Sequence, residues 1–127
     1  MKLLLDTHVF IWWDSEPGRI STSAMAALRD PANSIFLSVA SVWEMVIKVQ
    51  IGKLILRQPL ADIVAAQQAN GITVLAVELG HSLALERLAA IHKDPFDRLL
   101  IVQSVVEDME LVSVDQTFAG YPVRTLW

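Results

Sequence analysis

Short apolar runs alternate with segments of helical periodicity along the whole chain, and no other feature limits its fold so tightly. The strand-like runs lie at residues 2–5, 35–37, 72–77 and 111–114, with 123–126 offering a fifth. Between them helical spacing covers 8–13, 21–29, 39–51, 60–69, 78–91 and 94–108. The breaks carry their own chemistry: Pro17-Gly18, Pro31, Gly52 and Asn70-Gly71 end helical stretches, while Ser21 and Asp94-Pro95 begin them. Strands alternating with helices form a parallel sheet covered on both faces. The expected fold class is therefore α/β, a three-layer α/β/α arrangement around a mainly parallel sheet of four to five strands. Strands buried on both faces need not alternate, which suits the leucines at 3, 4 and 5. In the last helix Leu99, Leu100, Val102, Val105 and Val106 are expected to point mostly inward.

With 127 residues the chain has the size of one domain, 1–127, which buries about two-thirds of its unfolded surface without staples. It has no cysteine, which excludes disulfides, thiolate chemistry and cysteine-bound zinc and fits a reducing cytoplasm. Asp6 interrupts the first apolar run too early for a signal peptide. The uncharged stretches 31–43 and 63–77 fall short of the roughly 18 apolar residues of a membrane helix. A soluble, cytoplasmic chain is expected, with no membrane partner. The chain is 54% apolar and only 19% charged, against about 25% charged in a typical soluble domain. That surplus predicts apolar surface left over on the monomer for an interface, a homodimer being the commonest assembly. A net charge of −4 argues against a protein that merely neutralises nucleic-acid phosphates.

Four acids stand out by position. Asp6 and Asp115 follow the first and fourth strand runs, and Glu44 and Asp97 sit early in helices. In open α/β sheets, ligands bind beyond the carboxyl ends of the strands. Carboxylates gathered there repel one another unless a cation lies among them, which points to a hard metal ion, Mg2+ or Mn2+. Each acid also has a purely structural reading. Asp6 and Asp115 can cap the turns that follow them. Glu44 lies three residues after Ser41, the spacing of a capping box; with Ser38 as the cap, it lies deeper in the helix on the side of Ser41. Asp94 is the natural cap of the last helix, which turns Asp97 toward the strand edge. Capping alone requires no gathering of acids at one edge.

The blocks LLLDTHVFIWW, SVASVWEMVIKVQIGKL, HKDPFDRLLIVQS and LVSVDQTF resemble the PIN-domain family, and within it the VapC-type ribonuclease toxins of toxin–antitoxin modules. The resemblance spans nearly the whole chain in order and spacing. It implies an acidic quartet, matched here by Asp6, Glu44, Asp97 and Asp115, that binds Mg2+ or Mn2+ and cleaves an RNA phosphodiester with activated water. It also implies a cognate antitoxin protein as partner, whose amphipathic helix would enter an apolar groove, with Trp12, Trp13 and Trp43 near it.

Thr7, Ser38, Ser41 and Ser113 stand beside the acids, where a hydroxyl can orient a carboxylate or cap a strand end. Lys48 and Arg98, with Lys53, Arg57 and Lys93, flank the acidic blocks and can grip phosphates; Lys48 is also spaced to pair with Glu44, and Arg98 with Asp94. His8 and His92 read as structural residues or as edges of the site, and the three tryptophans read as core. Two rival readings remain: a phosphotransfer domain using Asp6 as phosphoacceptor, and a non-catalytic scaffold. Against the first, the position two after Asp6 is His8 where a second acid is wanted. Against the second stands the intact acidic set.

Overall fold

A computed structural model describes residues 1–127. Five parallel strands, β1 (Lys2–Leu5), β2 (Ser34–Ser38), β3 (Ile72–Leu75), β4 (Glu110–Val112) and β5 (Thr125–Leu126), form one sheet in the order β3-β2-β1-β4-β5. Six helices flank it: α1 (Thr7–Ser15), α2 (Thr22–Arg29), α3 (Val39–Gln50), α4 (Leu60–Ala69), α5 (Leu79–Ala84) and α6 (Pro95–Val106). The expected α/β class, the parallel sheet and its fifth strand are all present.

The pleat sorts the three leucines of β1 between two cores. Leu3 and Leu5 join Val9, Phe10, Leu37, Met45 and Ile63 on one face, while Leu4 joins Leu100, Ile101, Leu111 and Phe118 on the other. Full burial of each is worth about 1.5–3 kcal/mol relative to exposure. β1 lies at the centre, paired with β2 through Leu3↔Ile35 and with β4 through Leu4↔Leu111. Because the chain builds β2 and β3 to one side and β4 and β5 to the other, strand order reverses between β1 and β4. A crevice opens at such a reversal beyond the carboxyl ends of the strands. No helix is long and apolar enough to cross a membrane.

Caps fall where the sequence places them. Ser21 accepts from the Ala24 amide at the start of α2, and Gly71, with φ +99°, follows the end of α4. Four expectations need correction. The helix expected over 78–91 stops at Ala84; one 3-10 turn, Leu85–Arg87, continues it before the backbone becomes extended at Leu88. Leu79 and Leu83 face solvent, so no apolar stripe draws that helix onward. β3 ends at Leu75, because the Ala76 carbonyl accepts from the Gln103 side chain at 3.2 Å. β4 is shifted, starting at Glu110, where its pairing with Leu3 begins, and ending at Val112, two residues short of the expected Val114. In α6 the run Leu100–Ile101–Val102 is buried, but Val105 and Val106 are 48% and 51% exposed. Burial on α6 runs from Leu100 to Ser104 and stops there.

Candidate active site

The strand reversal puts the ends of β1 and β4 side by side, and the acids that follow them become neighbours through one hydroxyl. Ser113 Oγ donates to Asp6 Oδ2 at 2.7 Å and accepts from the Asp115 amide at 3.0 Å. Asp6 occupies the position before α1, yet its side chain makes no capping bond. The structural reading of Asp6 as a cap therefore fails. Asp115 does cap: its Oδ1 accepts from the Thr117 amide at 2.9 Å and the Thr117 hydroxyl at 2.8 Å.

Glu44 reaches the same place from α3. Ser38 is the cap of that helix, accepting from the Ala40 amide, so Glu44 lies in the second turn and no capping box forms. Thr7 Oγ1 lies 2.6 Å from Glu44 Oε1 and 2.9 Å from Ser41 Oγ. A threonine hydroxyl has one proton, and the carboxylate can only accept, so Thr7 donates to Glu44 and Ser41 donates to Thr7. Lys48 Nζ holds the other oxygen, Oε2, at 3.0 Å. Asp94 caps α6 through the Phe96 and Asp97 amides, which leaves Asp97 in the first turn, turned toward the crevice. His92 Nε2 lies 2.9 Å from Asp97 Oδ2, and the ligand atoms of His92, Asp97 and Asp115 all lie within 4.8 Å of one another.

Asp97 feels the other three acids of the set. Burial, followed by the charges of Asp94, Asp6, Glu44 and Asp115, pushes Asp97 up to about 7. Burial also raises Asp6, with Glu44 adding to the rise; the Ser113 hydrogen bond, His8 and the Thr7 amide offset part of it. Asp115 differs. Slight burial pushes it up, but the Thr117 amide and hydroxyl outweigh that, helped by His92 and His8, so its carboxyl lies below the ordinary range. Carboxylates such as Asp6 and Asp97, raised by burial and by neighbouring acids, are ones that a cation would relieve. The donors are carboxylate oxygens with one imidazole at the edge and no thiolate, the chemistry of a hard divalent ion. Asp6, Asp97 and Asp115 each have one oxygen in a protein hydrogen bond and the second outside any.

Of the residues singled out from sequence, the structure brings Asp6, Thr7, Ser41, Glu44, Lys48, Asp97, Ser113 and Asp115 together. Ser38 and Arg98 are not part of the cluster. Ser38 Oγ donates to Gln103 Oε1 at 2.5 Å. Arg98 does not pair with Asp94; its Nη1 donates to the Ala89 carbonyl at 2.9 Å and more weakly to that of His92. With those bonds it pins the 88–94 loop. Trp43 is no core residue: it is 59% exposed and meets Phe96 edge-on, with ring centroids 5.3 Å apart. Trp12 and Trp13 do pack on the core. His92 is the group whose place sequence reasoning undervalued. Its signal was its spacing, two residues before the helix cap Asp94.

Comparison with known proteins agrees with this fold. The family described as PIN domain matches residues 3–123. The chain is 26% identical over 129 residues to Ribonuclease VapC22 of Mycobacterium tuberculosis (strain ATCC 25618 / H37Rv), covering 98% of each. Among solved structures it is similar in fold to VapBC2 from Rickettsia felis bound to a promoter DNA fragment, with a TM-score of 0.72, 13% identity and 99% and 98% of the two chains covered. A toxin–antitoxin complex from Klebsiella pneumoniae matches with a TM-score of 0.61, 19% identity and 98% and 96% coverage.

Proposed function

Because the chain belongs to the PIN-domain family, we propose that it is a metal-dependent endoribonuclease, the toxin of a toxin–antitoxin pair, with residues 1–127 as one nuclease domain. The observation that carries this reading is the gathering of carboxylates at the β1/β4 crevice, where Ser113 links Asp6 to Asp115 and the ligand atoms of Asp97, Asp115 and His92 lie within 4.8 Å of one another. The kinship with a named ribonuclease supports RNA as substrate. Asp6, Asp97 and Asp115 would hold Mg2+ or Mn2+ through their second oxygens, with Glu44 completing the acidic wall. When bound, such an ion supplies acidified water and neutralises charge on phosphoryl oxygens.

The chain's own residues prepare that chemistry. Ser113 and Thr117 fix the carboxylates of Asp6 and Asp115, and Thr7 with Ser41 fixes Glu44. Lys48, 31% exposed and paired to Glu44, stands at the rim where an incoming phosphate is drawn in. Nothing in the set requires a histidine base.

One amphipathic cleft and one apolar patch support the partners. A cleft of about 410 Å³ between α1, α3, α4 and the 55–58 segment has an apolar floor that includes Phe10, Met45 and Ile63 and a polar rim that includes Asp14, Glu16 and Arg57, and Ile55 there is 92% exposed. It suits the amphipathic helix of a cognate antitoxin. A separate patch of Leu79, Leu83, Val105 and Val106 on α5 and α6 suits a homodimer, and the setting is taken as cytoplasmic.

The test is RNA cleavage by the purified chain with Mg2+ or Mn2+, against excess chelator and against Asp6→Asn. Full activity in chelator would end the metal reading. Harmless expression of the chain alone, with nothing encoded beside it binding it, would end the toxin reading but not the nuclease one.

A further inference from the structure

His92 is held by more contacts than an edge residue needs. Its main-chain N–H donates to the Tyr121 hydroxyl, and the Arg98 guanidinium approaches its carbonyl at 3.4 Å. Its Nδ1 lies 3.2 Å from the Asp94 amide, its ring lies 6.1 Å from that of Phe118, and its Nε2 lies 2.9 Å from Asp97 Oδ2. The Asp94 amide can only donate, so Nδ1 accepts and carries no proton. The ring proton is thereby placed on Nε2, where it donates to Asp97. Tyr121 is itself buried in the second core, so the aim of the imidazole is set by the fold.

We propose that His92 is a positioning residue for the candidate metal site: its Nε2–H, aimed by the Asp94 amide and Tyr121, fixes the Asp97 carboxylate and leaves Oδ1 for the cation. The inference rests on the metal-nuclease reading and deepens it. Asp97 is the acid that most needs such a partner. It stands among four other carboxylates, and a donor to one oxygen favours its charged form. Histidine–carboxylate pairs beside a metal act in the same way, and breaking them costs about 10–100-fold in metal affinity or activity. The sequence encodes the device compactly: His92, Asp94 and Asp97 are the aimed ring, the aiming amide and the aimed carboxylate.

Mn2+ binding to the purified chain, followed by calorimetry and by the electron-spin resonance of free Mn2+, tests it without reference to cleavage. His92→Phe keeps a ring over Phe118 but has no donor; it should weaken Mn2+ binding by about 10–100-fold. Its cleavage should recover as Mn2+ is raised, with the RNA KM unchanged. His92→Gln, whose amide can donate from near the Nε2 position, should regain part of the affinity. Tyr121→Phe leaves the histidine in place and should weaken Mn2+ binding a few-fold, so the question has an answer even if His92→Phe does not fold. Mn2+ affinity equal to wild type in His92→Phe, or in Tyr121→Phe should His92→Phe not fold, overturns the positioning role alone. No Mn2+ binding by the wild-type chain overturns the metal reading beneath it.

Discussion

Two buried polar clusters sit at the carboxyl edge of the sheet, and they are built on opposite terms. One is the acid crevice between β1 and β4. The other lies between β2, α5 and α6: Ser38 donates to Gln103 Oε1, Gln103 Nε2 donates to the Ala76 carbonyl, and His81 bonds the Glu78 amide with Nδ1 and Glu107 Oε1 with Nε2 at 2.8 Å. In this second cluster donors meet acceptors throughout, which makes it a strut joining strand end to helix. In the crevice like charges face one another, and three aspartates each keep an oxygen outside any protein bond. Satisfied polar groups specify a fold; groups held apart from satisfaction are poised for a ligand. The comparison predicts that mutations in the crevice are read in activity and mutations in the strut in stability.

The largest effect should come from Asp6→Asn. It keeps the shape, removes a buried charge and should reduce cleavage by more than about 100-fold, beyond the loss of a residue that merely holds a ligand. Its melting temperature in chelator should hold or rise, since repulsion with Glu44 and Asp97 is relieved. A fall of many degrees with residual activity would place Asp6 on the structural side of the comparison.

Gln103→Leu is the mirror case. Removing the amide strands Ser38 Oγ and the Ala76 carbonyl in the interior, at about 1–3 kcal/mol for each. Urea unfolding should show that loss, while Mn2+ affinity and cleavage per folded molecule stay near wild type. A change in metal affinity larger than the change in stability would join the two clusters into one site.

The pH dependence of the metal-free chain should separate the clusters next. Asp97 has an ordinary carboxyl value of 3.8 when unfolded and about 7 when folded. The folded state therefore binds the proton more tightly, and that stability is fully present below about pH 4. It is lost as pH rises toward 7. Asp6, also raised, acts with the same sign; Asp115, lowered, acts only at pH values below the ordinary carboxyl range. Melting temperature in chelator should fall more steeply between pH 5 and about 7.5 in wild type than in Asp97→Asn, and Mn2+ should flatten the wild-type slope. Equal slopes in both would deny that Asp97 feels its neighbours.

Much of this was legible from the chain itself. The strand runs and their following acids placed Asp6 and Asp115, because a parallel sheet puts all its carboxyl ends on one side. Asp94-Pro95 fixed the start of α6 and with it the direction of Asp97. What was hidden depended on which strands adjoin. The bond from Ser113 to Asp6 spans 107 residues and exists only because β4 pairs with β1. Ser38 and Ser41 look alike in sequence, yet one faces Gln103 and the other Thr7. The helix expected over 78–91 failed for a similar reason: Leu79 and Leu83 have the right period but no core opposite them. His92 needed Tyr121, in a distant loop, to show its purpose.

Those two serines supply the smallest and finest test. They lie three residues apart at the start of α3, and replacing either with alanine removes one buried hydroxyl. Ser38→Ala takes away the helix cap, about 1 kcal/mol, and leaves Gln103 Oε1 without its donor. Ser41→Ala removes only the hydroxyl behind Thr7, which still donates its own proton to Glu44. The first should therefore lower the melting temperature by several degrees with cleavage per folded molecule unchanged. The second should leave melting within about 0.5–1 kcal/mol of wild type and lower cleavage a few-fold at limiting Mn2+, as Glu44 loosens. If both serines act alike, the line between strut and crevice does not run between Ser38 and Ser41, and α3 serves the two clusters as one body.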